Sequence, residues 1–118
     1  MPQACNKLAE YWKERDGRET IETDKGFISY WIDGDRLHII DIFVYPEFRS
    51  QGEALMLLNE AVQIGIKAGC NCGIAQADSR SLNATESIKF ILSVGMKLLS
   101  VEGPILYFIM EREKWAIR

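Results

Sequence analysis

Cysteine is scarce in this chain, with three residues and therefore no even set from which a disulfide framework is built. Cys70-Asn71-Cys72 lacks the further ligands a zinc site needs, so the thiols are expected to be reduced and no metal is expected. Basic charge is not in excess either. Lys and Arg number 14 against 17 Asp and Glu, net −3, which leaves no general basic field for nucleic acid. Long apolar runs are missing, and the N-terminal MPQACNKLAEYWKERDG has no signal-peptide core. A cytoplasmic protein without a membrane partner is the expectation. Repeats, low-complexity tracts and linkers are also lacking, so nothing divides the chain.

What remains is 118 residues, 47% of them apolar, enough for one core and one domain over residues 1–118. Such a domain folds alone or as a homo-oligomer. Ala4, Leu8, Tyr11 and Trp12 share one face at helical spacing, and that helix stops near Asp16-Gly17. ETIET and FISYWI read as strands, and Asp33-Gly34 signals a hairpin into RLHIIDIFV. Residues 52–68 read as a helix with Ala54, Leu55, Leu58, Ala61, Val62 and Ile66 on its apolar face and Gly69 as its stop. CGIAQA is a short buried strand, parallel to IIDIFV because a helix joins them. A second helix opens at Asn83, with Glu86 at capping-box spacing, and ends at Gly95; KLLSVE, a Gly103-Pro104 turn and ILYFIMERE form a last hairpin. The order α-β-β-β-α-β-α-β-β implies an α/β (α+β) fold, a mixed sheet covered by helices.

The most informative stretch is IFVYPEFRSQGEA, residues 42–54. A turn between a strand's carboxyl end and a helix's amino end points free N–H groups outward, and the helix dipole adds partial positive charge. Gly52 lets the backbone approach a phosphate, and Arg49 supplies a charged partner. The plain alternative is an ordinary turn in which Ser50 caps the helix. Spacing adds a second signal. Leu37 and Ile39 keep a two-residue period, as do Ile42 and Val44, but the step between the pairs is three, which places a bulge at Ile40-Asp41.

This stretch resembles motif A of the GNAT N-acetyltransferase superfamily, a strand, a V-x-P step and Q/R-x-x-G-x-G/A. The resemblance covers about residues 19–112, and small phage-encoded members look similar through ETDKGFISYW and SIKF. It implies a mostly antiparallel sheet with a splayed pair of parallel central strands, and acetyl-CoA as cosubstrate. Arg49, Ser50, Gln51, Gly52, Glu53, Ala54 and Asn83 would then hold coenzyme A. Phe43, Val44 and Tyr45 would be backbone partners of the pantetheine arm, with the Val44 N–H near the thioester oxygen. The first strand and one early helix of the usual fold are missing from the pattern.

The chemistry implied is N-acetylation of a primary amine, in a small molecule or a protein lysine, by direct attack in a ternary complex. A lysine of pKa near 10.4 is less than about 0.1% neutral at pH 7, so a base or water chain helps. His38, the only histidine, is the first candidate base and Asp41 the second. The family's late-helix tyrosine falls on Ile91, leaving Ser87, Ser93 and Tyr107 as weak candidate acids, or an unaided thiolate. Met96 replaces a common aromatic. Glu53 either repels a pyrophosphate or completes a capping box with Ser50 and points away. The other reading is a catalytically inactive GNAT-like domain that binds a protein partner, with or without coenzyme A. Tyr30, Trp31, Trp12 and Trp115 read as packing residues, EREKWAIR as a solvated tail, and Arg80 as a phosphate contact or a surface ion pair.

Overall fold

In the computed structural model the described residues are 5–111, excluding the side chains of residues 5–9 and of Trp12. The apolar face expected from Ala4, Leu8 and Trp12, the packing of Trp115 and the tail beyond Glu111 lie outside them. The chain runs through α1 (Cys5–Asp16), β1 (Glu19–Glu22), β2 (Gly26–Asp33), β3 (Arg36–Val44), α2 (Glu53–Lys67), β4 (Cys72–Asp78), α3 (Ala84–Ser93), β5 (Lys97–Glu102) and β6 (Ile105–Glu111). A single 3₁₀ turn, Pro46–Phe48, follows β3.

Six strands form one sheet in the order β1-β2-β3-β4-β6-β5. Only β3 and β4 are parallel, and the helix α2 that joins them supplies the crossover such a pair requires. The β2–β3 hairpin turns on Gly34-Asp35 and the β5–β6 hairpin on Gly103-Pro104. In both, glycine takes the first turn position at φ +61°, the left-handed conformation that a two-residue connection of Gly-X type needs there. The first turn thus lies one residue beyond the Asp33-Gly34 signal.

Leu37, Ile39, Ala75, Phe108 and Met110 meet Leu57, Ala61 and Val62 of α2 and Ile91 of α3 in one buried cluster. The face of α2 is rotated from the expected one: Leu57 is 1% exposed, whereas Leu55 is 41% exposed. Leu55-Met56-Leu57-Leu58 is apolar at every position, so periodicity could not select among them; contact with the sheet does. Gly69, at φ +89°, ends this helix, with the Cys70 N–H donating to the Gly65 carbonyl.

Alternation places Trp31, His38 and Ile74 on the opposite face of the sheet, with Asp41 also there beyond the bulge. The bulge itself is where the spacing put it. Tyr30 pairs with Ile39 and Ser29 with Asp41, so Ile40 is the extra residue. No helix among the described residues is long and apolar enough to cross a membrane.

Candidate active site

The parallel pair is short. β3 and β4 pair from Arg36–Cys72 to Ile39–Ala75 and then part. Beyond that point β3 stays with β2 as far as Val44–Gly26, and β4 stays with β6 as far as Asp78–Ile105. The Ile40 bulge turns β3 away at the last shared pair, and a cleft opens between residues 42–44 and 76–78.

Backbone direction in this cleft follows from one hydrogen bond. The Tyr45 N–H donates to the Lys25 carbonyl at 2.9 Å, so it points toward β2. Successive N–H groups of a strand alternate sides, hence those of Val44 and Ile42 point into the cleft and that of Phe43 toward β2. The close approach of the Phe43 carbonyl to Gly26 agrees with this. Of the three residues expected to present backbone groups to the cleft, only Val44 does so. Tyr45 is engaged on both sides, since its carbonyl also accepts from the Phe48 N–H. Ile42 was missed, although its two-residue offset from Val44 carries the signal.

At the cleft's outer end lies the turn. Gly52 is the N-cap of α2 with φ +83°, and no side chain caps the helix. The N–H groups of Gln51, Gly52, Glu53 and Ala54 have no partner among the described residues. Together with the positive end of a 15-residue helix they form a concentration of donors suited to an anion. Ser50 holds φ +65°, which costs a non-glycine residue free energy, and it does not cap the helix.

Arg49 Nε donates to the Val44 carbonyl at 2.8 Å, and its guanidinium lies 5.3 Å from the centre of the Phe43 ring. The side chain is thereby held at the junction of strand and turn. Glu53 is not a capping-box partner of Ser50. Its side chain is buried at 6% exposure, and Thr23 donates its hydroxyl to Oε2 at 3.1 Å. The turn therefore faces outward with its N–H groups while its carboxylate faces inward.

Asn83 is the N-cap of α3 but makes no side-chain cap bond, and Ser81 donates to its Oδ1 instead, so the Asn83–Glu86 capping box does not form. Asp78 and Arg80, at the end of β4, bind each other: Nε and Nη2 donate at 3.0 and 2.9 Å. That contact holds the Asp78 carboxyl down to about 2 and places Arg80 in a surface ion pair, one of its two expected roles.

The two candidate bases separate. His38 lies in the paired part of β3, stacked on Trp31 with centroids 4.9 Å apart, and its Nε2 is buried without a hydrogen-bond partner among the described residues. Burial lowers its pKa, Asp33 opposes that shift and Arg36 adds to it, so the net shift favours the neutral ring. Asp41 lies past the bulge, at the cleft, on the open face of the sheet. Partial burial pushes its carboxyl up against the pull of Arg18, whose Nη1 is 3.4 Å away.

Among the candidate acids, Ser93 spends its hydroxyl on the Phe90 carbonyl at 2.7 Å. Ser87 lies one turn before the buried Ile91 on α3. Tyr107 pairs with Gln76, the first residue of β4 beyond the parallel pairing, and so stands level with the apex of the cleft. No cluster of three or more His, Cys, Asp or Glu able to hold a metal occurs among the described residues.

The family model described as Acetyltransferase (GNAT) family matches residues 4–96. A PaiA N-acetyltransferase from Thermoplasma acidophilum, solved in complex with coenzyme A, has a TM-score of 0.72 at 17% identity, covering 92% of this chain and 71% of that one. A GNAT-family protein from Desulfovibrio desulfuricans gives 0.73 at 16% identity, covering 94% and 82%. An acetyltransferase from Bacillus cereus gives 0.65 at 17% identity, covering 92% and 88%. At these identities the likeness concerns the fold. Among curated protein sequences none matches this chain.

Proposed function

We propose that this chain, which belongs to the acetyltransferase (GNAT) family, transfers an acetyl group from acetyl-CoA to a primary amine. The observation that carries the proposal is the cleft: two parallel strands part at a bulge, and the opened strand leads directly into a turn of unpartnered N–H groups. That combination suits a long ligand with an anionic middle and a reactive end.

In this reading the N–H groups of residues 51–54 and the Arg49 guanidinium bind the pyrophosphate, with Asn83 at the same end of the sheet. The pantetheine arm lies along β3 and uses the Val44 N–H. Since the arm enters at the turn and runs toward the apex, the N–H nearer the apex, that of Ile42, meets the thioester oxygen. It steadies the negative charge that develops there as the amine nitrogen attacks the carbonyl carbon and the carbon–sulfur bond breaks.

Asp41 is the base of this proposal, because it stands at the cleft on the face not covered by α2 and α3. It takes the proton released by the amine, directly or through water. His38, with its free nitrogen buried, is a packing residue that stays neutral. In this reading Tyr107, level with the apex of the cleft, returns a proton to the departing sulfur. The acceptor is a small molecule or a protein lysine, entering from the Asp41 face; the protein acts in the cytoplasm, as one domain over residues 1–118.

A binding-only reading draws on Ile91, buried at 8% exposure, which leaves α3 without a hydroxyl at that position. Calorimetric titration with acetyl-CoA, followed by release of the coenzyme A thiol in the presence of candidate amines, separates the readings. Wild type is expected to bind and Gly52→Asp to lose binding. Binding without turnover on any amine favours the partner-binding reading, and a folded wild-type protein that fails to bind acetyl-CoA sinks both the site and the activity.

A further inference from the structure

The two edges of the sheet differ in kind. At one edge, β1 is half-buried along its length and is flanked by α1. At the other, β5 packs substantially on β6 alone, and its outer edge is unpaired among the described residues. Solvent-facing edges are usually protected by charge or proline along the strand. Here Leu98, Leu99 and Val101 are 54%, 51% and 57% exposed, and charge is confined to the two ends, Lys97 and Glu102. A bulge exists at Leu99, where β5 has one residue more than β6, but a leucine rather than a charge fills it.

The order of residues in KLLSVE is self-complementary for an antiparallel neighbour. Laid against itself about a two-fold axis between Leu99 and Ser100, Lys97 falls opposite Glu102 of the partner subunit and Leu98 opposite Val101 of the partner subunit. Both terminal pairs are then of opposite sign, and the reverse, parallel arrangement would set like charges side by side. We propose that β5 is a self-association edge, through which two copies join into one continuous sheet with antiparallel β5 strands at its centre. The chemistry of the occupant is therefore that of a second copy of this chain. The opposite half of the sheet, with the β3–β4 cleft, stays clear of the contact.

Light scattering coupled to size-exclusion chromatography, run over a micromolar concentration range, tests this. Wild type is expected to reach twice the 13.5 kDa chain mass as concentration rises. Lys97→Glu and Glu102→Lys each place like charges opposite one another at two symmetric positions, and each is expected to weaken the dimer by about 10- to 100-fold. The double variant Lys97→Glu/Glu102→Lys restores opposite signs and is expected to dimerise within about threefold of wild type. Amide exchange at residues 98–101 should slow with rising concentration in the wild type. A wild type that stays monomeric throughout overturns the proposal, as does a dimer indifferent to the single reversals, a double variant that is not rescued, or exchange that does not depend on concentration. Acetyl-CoA titration of the same samples is a separate readout, so loss of the dimer and loss of the proposed activity are distinguishable.

Discussion

Replacing Arg49 with alanine separates the contacts this side chain makes within the fold from the phosphate contact proposed for it. Its Nε holds the Val44 carbonyl at 2.8 Å, and its guanidinium covers the Phe43 ring at 5.3 Å. An exposed hydrogen bond of this kind contributes about 0.5–1.5 kcal/mol net, and an exposed cation–π contact about 0.5–1 kcal/mol. Their partial sum, about 1–2 kcal/mol, sets the expected loss of stability. With an unfolding entropy near 2.1 cal/mol/K per residue over 118 residues, about 0.25 kcal/mol/K, Tm should fall by about 4–8 K. The second, proposed job is contact with the pyrophosphate. A charge-assisted hydrogen bond of about 1.5–3 kcal/mol corresponds to a Kd for acetyl-CoA raised by about 10- to 150-fold. Thermal melting and calorimetric titration read the two jobs independently, and Arg49→Lys, which keeps charge but loses the planar fork, should recover affinity only in part. If Tm falls while Kd changes by less than about twofold, Arg49 is a strut for β3 and the phosphate role is refuted.

Other expectations follow from neighbouring features. Gly26→Ala drives a methyl group into the Phe43 carbonyl, so it should cost about 1–3 kcal/mol in chemical denaturation and weaken acetyl-CoA binding by displacing β3; an unchanged midpoint would contradict the close strand approach. Thr23→Val removes the donor to the buried Glu53 carboxylate and should cost about 1.5–3 kcal/mol, read by the same denaturation. Asp41→Asn should lower kcat/KM by about 100-fold or more with Kd for acetyl-CoA unchanged, whereas His38→Gln should alter kcat/KM by less than about threefold; the opposite ranking would return the base to His38. His38 also makes stability depend on pH. Its folded pKa lies below the ordinary 6.5, so the unfolded chain binds the proton more readily, and stability should fall as pH drops through 6.5 toward the folded value. His38→Gln should flatten that part of the curve.

Much of the fold was legible because local chemistry and tertiary structure agree. The Gly34 and Gly103 turns and the Gly69 helix end all rest on a left-handed backbone that glycine adopts without a Cβ clash. The bulge was legible for a related reason: side chains alternate with period two, so the three-residue step from Ile39 to Ile42 requires an extra residue. The acetyltransferase family could be read from the Ile42–Ala54 stretch together with the order of elements.

Where a side chain had several acceptable partners, the sequence alone did not choose. Glu53 at capping-box spacing from Ser50 turns instead to Thr23, thirty positions away, and Asn83 leaves its own box unmade. Leu55 and Leu57 are equally apolar, and only the sheet beneath α2 decides which is buried. His38 and Asp41 are both plausible proton acceptors on paper; the strand's pairing buries the free nitrogen of one and leaves the other at the cleft. The chain's own sequence thus determined the elements, the turns and the bulge, because each depends on backbone geometry over a few residues. The tertiary structure decided which N–H groups face the cleft and which carboxylate faces inward, because those outcomes depend on strands and side chains brought together from distant parts of the chain.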